Sequence, residues 1–173
     1  MIKPNTPPLV VIMGVSGCGK SSLATRLAKH FDYRFLEADD FHCEQAKKRI
    51  QQNLPLTEEI RESWINRITV FLCQNLQPPT VLAYPGLRRE HRQRLRELGY
   101  HSIFILLHGD KDLISQRMNS RDGHVLPSSV LTSQFSALQL PENEPDIFTL
   151  DLQQSPETLT TTSIALLNQA FAL

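Results

Sequence analysis

Apolar residues along this chain follow two rhythms. Short, nearly continuous apolar runs fall at positions 8–13, 33–37, 80–84, 102–107 and 147–151, and runs of that kind bounded by turn formers predict buried strands. Between them the apolar positions recur at helical spacing. "KSSLATRLAKHF" sets Leu23, Leu27 and Phe31 on one face, and "TEEIRESWINRITVFLC" does the same with Ile60, Trp64, Ile68 and Leu72, led by Thr57 and acidic residues in the first turn; both patterns predict helices. "RREHRQRLRELGY" predicts an arginine-rich helix closed by Gly99 as its C-cap, and "PETLTTTSIALLNQAFAL" a closing helix despite its β-branched threonines. Pro78 and Pro79 break the chain before the third strand. Strands alternating with helices imply parallel pairing through crossover helices. The expected fold is an α/β sandwich of about five mainly parallel strands, with ligands outside their carboxyl ends.

Composition narrows the function classes. The chain has 173 residues, 40% of them hydrophobic, enough for the core of one domain, here expected over 1–173. Lys plus Arg and Asp plus Glu number 18 each, giving a formal net charge of zero, so no global field draws the chain to nucleic acid or to an anionic membrane. Cys18, Cys43 and Cys73 are odd in number and lie outside any C-x-x-C pair, which disfavours a disulfide framework or a zinc site and suits a reducing cytoplasm. "MIKPNTPP" carries no apolar signal region, and runs such as "IFILL" at 103–107 are far shorter than the roughly 20 residues needed to span a bilayer. A cytoplasmic protein acting on small molecules is expected.

The loop after the first strand carries the clearest chemistry. "GVSGCGKS", residues 14–21, has the spacing G-x-x-x-x-G-K-S, the P-loop form. Its glycines let backbone N–H groups converge, and the helix opening at Lys20 adds its own unpaired N–H groups and dipole. Gly14, Ser16, Gly17, Cys18, Gly19, Lys20, Ser21 and Ser22 are therefore expected to bind the phosphates of ATP, with Lys20 on the β- and γ-phosphates and the Ser21 hydroxyl on Mg²⁺.

Other candidates lie where strands end. In "FLEADDFH" a carboxylate at the carboxyl edge of the second strand would face the γ-phosphate, so Asp39 or Asp40 could polarise an acceptor hydroxyl or position Mg²⁺ through water; the plainer alternative is a cap on the next helix. His42 could touch substrate or simply begin that helix. "RDGHVLP" follows the helix containing Arg117 and reads as a mobile connection carrying Arg121 and His124, suited to a lid over a nucleotide. In the basic helix, Arg88, Arg89, Arg92, Arg94 and Arg96 are diluted by Glu90 and Glu97, and nucleic-acid binding through it is not expected.

With these motifs in hand, the chain resembles the gluconate kinase (gluconokinase) family of small P-loop sugar-acid kinases over about residues 10–151. "GVSGCGKS", "ADDFH" with "LPLTEEIRESW", "LRREHRQRLR", and "RDGHVLPSSVLTSQFSALQLP" carry the resemblance. It implies a three-layer P-loop kinase fold with a helical lid at about 117–141. The implied activity is transfer of the ATP γ-phosphoryl group to the 6-hydroxyl of D-gluconate by a cytoplasmic enzyme that is often a homodimer. Asp39 matches the acidic residue facing the acceptor and takes a share in the Mg²⁺ site with Ser21, while Arg117 and Arg121 match the nucleotide-side lid arginines. His42, Arg61, Arg88 and His124 join Asp39 as acceptor-side candidates.

Departures from the family pattern gather on the acceptor side. Ala46 stands where the family usually has Asn, Ile60 where an Asp precedes Arg61, and "YPGLR" at 84–88 where it has "CSALK"; "QQNLPL" lacks the two usual glycines. Losing groups that hydrogen-bond a polyol predicts a pocket in which gluconate is weakly held or read by compensating residues such as Tyr84 and His42. Other small acceptors, such as shikimate or a nucleoside monophosphate, and a weakly catalytic ATP-binding regulatory module are the alternatives.

Overall fold

The structure, a computed structural model, describes residues 6–75, 78–119 and 127–172, with 117–119 described for their backbone alone. Five parallel strands, β1 (Pro8–Met13), β2 (Arg34–Glu37), β3 (Thr80–Ala83), β4 (His101–His108) and β5 (Ile147–Asp151), form one sheet in the order β2-β3-β1-β4-β5. The helices are α1 (Lys20–Phe31), α2 (Glu44–Gln51), α3 (Glu58–Gln74), α4 (Arg89–Arg96), α5 (Lys111–Asn119), α6 (Ser128–Ala137) and α7 (Pro156–Phe171). Each apolar run read from the sequence is a strand, within about a residue at either end. None of the described helices is long and apolar enough to cross a membrane.

Alternation along the strands divides the core into two layers. Val10, Ile12, Val81, Ala83, Ile105 and Leu107 face α1 and α7, where they meet Leu23, Leu27, Leu159 and Leu167. Their sequence neighbours Leu9, Val11, Met13, Leu82, Phe104 and Leu106 face the other way, onto Trp64, Ile65, Ile68, Leu72 and Leu95 of α3 and α4. Because side chains in a strand alternate faces, the stretches 9–13, 81–83 and 103–107 are apolar at every position and serve both layers. β1 lies between β3 and β4; the connection out of β1 runs to β2 on one side and that out of β3 crosses to β4 on the other, which opens a crevice beyond the carboxyl ends of β1 and β3.

Helix ends follow local chemistry, with one correction. Thr57 Oγ1 accepts the Ile60 N–H at 3.3 Å at the start of α3, and Ser155 Oγ accepts the Thr158 N–H at 3.1 Å ahead of Pro156 in α7. The threonines of α7 bond back into their own helix, Thr160 Oγ1 donating to the Pro156 carbonyl at 2.7 Å and Thr161 Oγ1 to that of Glu157 at 3.0 Å. Gly99, however, is not the cap of α4. That helix ends at Arg96, and the next residues turn so that Leu98 and Tyr100 both enter the core.

Candidate active site

The loop between β1 and α1 is built on three glycines with positive φ: Gly14 at 138°, Gly17 at 80° and Gly19 at 97°. A Cβ on Gly14 would lie 2.6 Å from the Leu107 carbonyl oxygen, so the residue is fixed by its close approach to β4 as well as by its backbone angle. Its N–H donates to the Pro85 carbonyl at 3.0 Å, which ties the loop to the chain leaving β3. Gly19 heads α1 with no side-chain cap, and the first turn has no acidic residue. The positive end of that helix is left for an anion. Lys20 Nζ donates to the Val15 carbonyl at 3.1 Å, folded across the mouth of the loop. Ser21 and Ser22 follow, both exposed, and Cys18 is buried beneath. Behind the loop, Gly17, Ser22, Arg26, Pro156 and Thr160 line a small cleft between α1 and α7.

A short 3-10 turn, Ala38–Phe41, follows β2 and carries the acidic pair. Neither Asp39 nor Asp40 caps α2, because Cys43 holds that position and its Sγ accepts the Ala46 N–H at 3.4 Å. The turn is strapped from above by α3: Trp64 Nε1 donates to the Ala38 carbonyl at 2.7 Å and Arg67 Nε to that of Phe41 at 2.6 Å. His42 is buried against the Trp64 ring at 4.0 Å between centroids, with Nε2 3.3 Å from Asp39 Oδ1. The Asp39 side chain is 72% exposed. The His42 hydrogen bond, outweighing partial burial and helped by Lys20, holds its carboxyl below the usual aspartate range. His42 is therefore the neighbour that orients Asp39.

Glu37, which the sequence reading passed over, closes the same corner. It is the last residue of β2, in register with Ala83 at the carboxyl edge of the sheet. Burial raises its pKa, against the opposing pull of the Ser21 hydroxyl and the Lys20 charge. The signal was present in "FLE", a carboxylate ending a strand at the edge where ligands of parallel sheets bind.

On the acceptor side, Arg61 and Arg88 come together through a third residue absent from the sequence reading. Glu58 Oε1 accepts from Arg61 Nη1 at 2.7 Å and from Arg88 Nη2 at 2.9 Å. Tyr84 is not available to an acceptor: it is buried, and its hydroxyl bonds His91 Nδ1 at 2.8 Å, while His91 Nε2 meets Glu62 Oε1 at 2.7 Å. Alternation along the third strand puts Tyr84 on the face of Leu82, toward α3 and α4. Ala46 and Ile60 are buried too, so the lost polar groups at these positions are replaced by packing.

The remaining arginines of α4 are paired with carboxylates. Arg92, 1% exposed at its side chain, bonds Glu144, Arg96 bonds both Glu144 and Asp146, and Arg94 bonds Glu62. From α6, Gln134 reaches back to the loop, its Oε1 accepting the Ser16 N–H at 2.6 Å and its Nε2 donating to Ser16 Oγ at 2.8 Å. Arg117 lies in α5 with its side chain outside the described residues, as Arg121 and His124 are altogether.

Among the described residues no cluster of three or more His, Cys, Asp or Glu could hold a metal by itself. A divalent ion here needs phosphate oxygens as partners, and the Ser21 hydroxyl beside the Glu37 carboxyl suits that arrangement.

Parallel sheet, uncapped helix and glycine loop together define a P-loop nucleotide-binding protein of the α/β class, and a family model described as an AAA domain matches residues 9–141. A gluconokinase of Arabidopsis thaliana is 35% identical over 172 residues, covering 91% of this chain and 90% of that protein. The thermoresistant gluconokinase of Escherichia coli (strain K12) is 30% identical over 164 residues, covering 93% and 94%. The crystal structure of a gluconokinase from Sinorhizobium meliloti 1021 matches with a TM-score of 0.84 at 32% identity, covering 92% of this chain and 91% of that one. The chain belongs to the gluconokinase family.

Proposed function

We propose that the chain is an ATP-dependent gluconokinase, transferring the γ-phosphoryl group to the 6-hydroxyl of D-gluconate. The observation that carries this reading is the convergence at one sheet edge of the glycine loop with Lys20, the exposed Asp39 held ionised by His42, and the arginine pair Arg61 and Arg88. The loop N–H groups and Lys20 hold the β- and γ-phosphates and neutralise charge as it develops. Mg²⁺, when bound, screens the same oxygens; Ser21 would hold it, with Asp39 or Glu37 reached through water. Asp39 accepts the proton of the acceptor hydroxyl as its oxygen bonds to the γ-phosphorus and the bond from that phosphorus to the β,γ-bridging oxygen breaks. Arg61 and Arg88 supply charge-assisted hydrogen bonds for the acceptor's carboxylate.

The whole chain then works as one kinase domain in the cytoplasm. Its segment 117–141 acts as lid, with Arg117 and Arg121 on the nucleotide and His124 toward the acceptor. The test is ADP release at fixed ATP across gluconate, other aldonates, neutral sugars and shikimate. Acceleration by gluconate above the neutral sugars and shikimate supports the reading. Acceleration by shikimate alone, or by no acceptor, overturns it.

A further inference from the structure

We propose that Glu58 is a built-in competitor for the acceptor's carboxylate, occupying the arginine pair and thereby setting how strongly an acid must bind to enter the site. The inference rests on the reading of Arg61 and Arg88 as the receptor for that carboxylate. Glu58 is an intramolecular carboxylate already in place. Its Oε1 takes one N–H from Arg61 on α3 and one from Arg88 at the head of α4.

The arrangement is incomplete in a way that points to a ligand. Arg88 Nε is buried and has no hydrogen-bond partner among the described residues, although Nη2 on the same edge of the guanidinium is bonded to Glu58. A carboxylate laid along that edge satisfies both N–H groups at once. Glu58 does not do so, because it spends a single oxygen on two different arginines. A small carboxylic acid brings two oxygens to the same place and removes the unmet donor. Glu58 and Arg88 also line an open polar cleft with Glu62, His91 and Gln139, on the α4 side of the pair and away from Arg61.

Glu58 can also leave. Its side chain is 53% exposed, against 15% for Arg61 and 35% for Arg88, so it can turn into water while the arginines stay. Burial works against its charge, but the Arg61 and Arg88 hydrogen bonds outweigh burial and keep the carboxyl below the usual glutamate range, so it competes as an anion at neutral pH. An acceptor must break at least one of the two bonds on entry. Acids able to hold both arginines and add hydroxyl contacts displace Glu58, and simple anions do so less well. The residue thus acts on selectivity without touching the reacting atoms.

The experiment is steady-state kinetics on the full chain with gluconate as the varied substrate, comparing wild type, Glu58→Gln, Arg61→Gln, Arg88→Gln and the double variant Glu58→Gln/Arg88→Gln. Partly exposed ion pairs are weak, so Glu58→Gln is expected to lower the gluconate KM by about threefold to tenfold with kcat and the ATP KM little changed. The gain should shrink or vanish on the Arg88→Gln background. Glu58→Ala, whose Thr57 cap is retained, should repeat the effect. If Arg61→Gln and Arg88→Gln raise the gluconate KM while both Glu58 variants leave it unchanged or raise it, Glu58 is a brace and the proposal is wrong. If neither arginine variant changes the gluconate KM, the underlying reading of the arginine pair fails, and Glu58 has no competitor to be.

Discussion

In the proposed mechanism Lys20 and Asp39 stand at the corner where phosphate and acceptor meet, and each makes a separable prediction. Lys20 now rests on a backbone carbonyl, so Lys20→Ala removes no buried contact. It should greatly weaken productive ATP use while far-ultraviolet circular dichroism and melting stay close to wild type. Asp39→Asn keeps size and polarity but cannot take a proton. It should lower kcat by about 10²- to 10⁴-fold with ATP affinity little changed, measured by coupled ADP release and nucleotide titration. Loss of activity in Asp40→Asn but not in Asp39→Asn would move the role one residue along. The placement of both at the carboxyl ends of the strands was legible in the sequence because a glycine-spaced loop and a strand-ending acidic cluster impose geometry by themselves. Glu58 was not, since a glutamate in the first turn of a helix reads equally well as a dipole partner, and its real partners, Arg61 and Arg88, meet only after α3 and α4 pack. Tyr84 misled for a related reason. Which face of the sheet it takes follows from register, and register turns its hydroxyl to His91.

At the scale of elements, strands and long helices followed the hydrophobic pattern closely, while the ends of elements did not. Gly99 failed as a cap because burying Leu98 and Tyr100 ended α4 earlier, and such tertiary demands leave no mark on local spacing. The arginines of α4 read in sequence only as a basic helix diluted by Glu90 and Glu97, yet Arg92 is buried on Glu144 with bonds of 2.5 and 3.0 Å. That pair, with Arg96 and Asp146, locks α4 to the segment entering β5. Removing one member strands a buried charge, so Glu144→Gln should cost about 3–5 kcal/mol at neutral pH, read from urea unfolding. Burial disfavours the Glu144 charge, but Arg92 and Arg96 prevail and keep its folded pKa below the ordinary 4.5. A depressed folded pKa contributes stability above the unfolded value and loses it as pH falls through the folded one. The gap between wild type and Glu144→Gln should therefore be constant near neutrality and close below about pH 4.5. A second element-level link is Gln134, the described contact that fastens α6 to the loop at Ser16. Gln134→Ala should speed amide-hydrogen exchange across 128–137 and leave the central strands protected; unchanged exchange would mean that α6 is held by its apolar contacts alone.

For the whole molecule, a parallel sheet with β1 flanked by β3 and β4 gathers the ends of three chain segments at one edge. The glycine loop comes from β1, Glu37 and Asp39 from the end of β2, and Arg88 from the chain leaving β3. Fold class was therefore readable from strand and helix order, and the glycine loop from one motif. The proposed acceptor half draws on α3, α4 and the 3-10 turn, and only their packing brings these together. Ala46, Ile60 and Tyr84 are absorbed into the core, which in the proposed mechanism leaves acceptor recognition to Asp39, Arg61 and Arg88. The most direct test is phosphorus NMR and mass spectrometry of the product formed from ATP and D-gluconate by wild type and by Asp39→Asn at equal protein concentration. The account predicts a single phosphomonoester on the 6-hydroxyl with wild type and a rate lower by at least about a hundredfold with Asp39→Asn. Phosphate released to water with gluconate unmodified, or a phosphogluconate formed equally fast by both proteins, would contradict it.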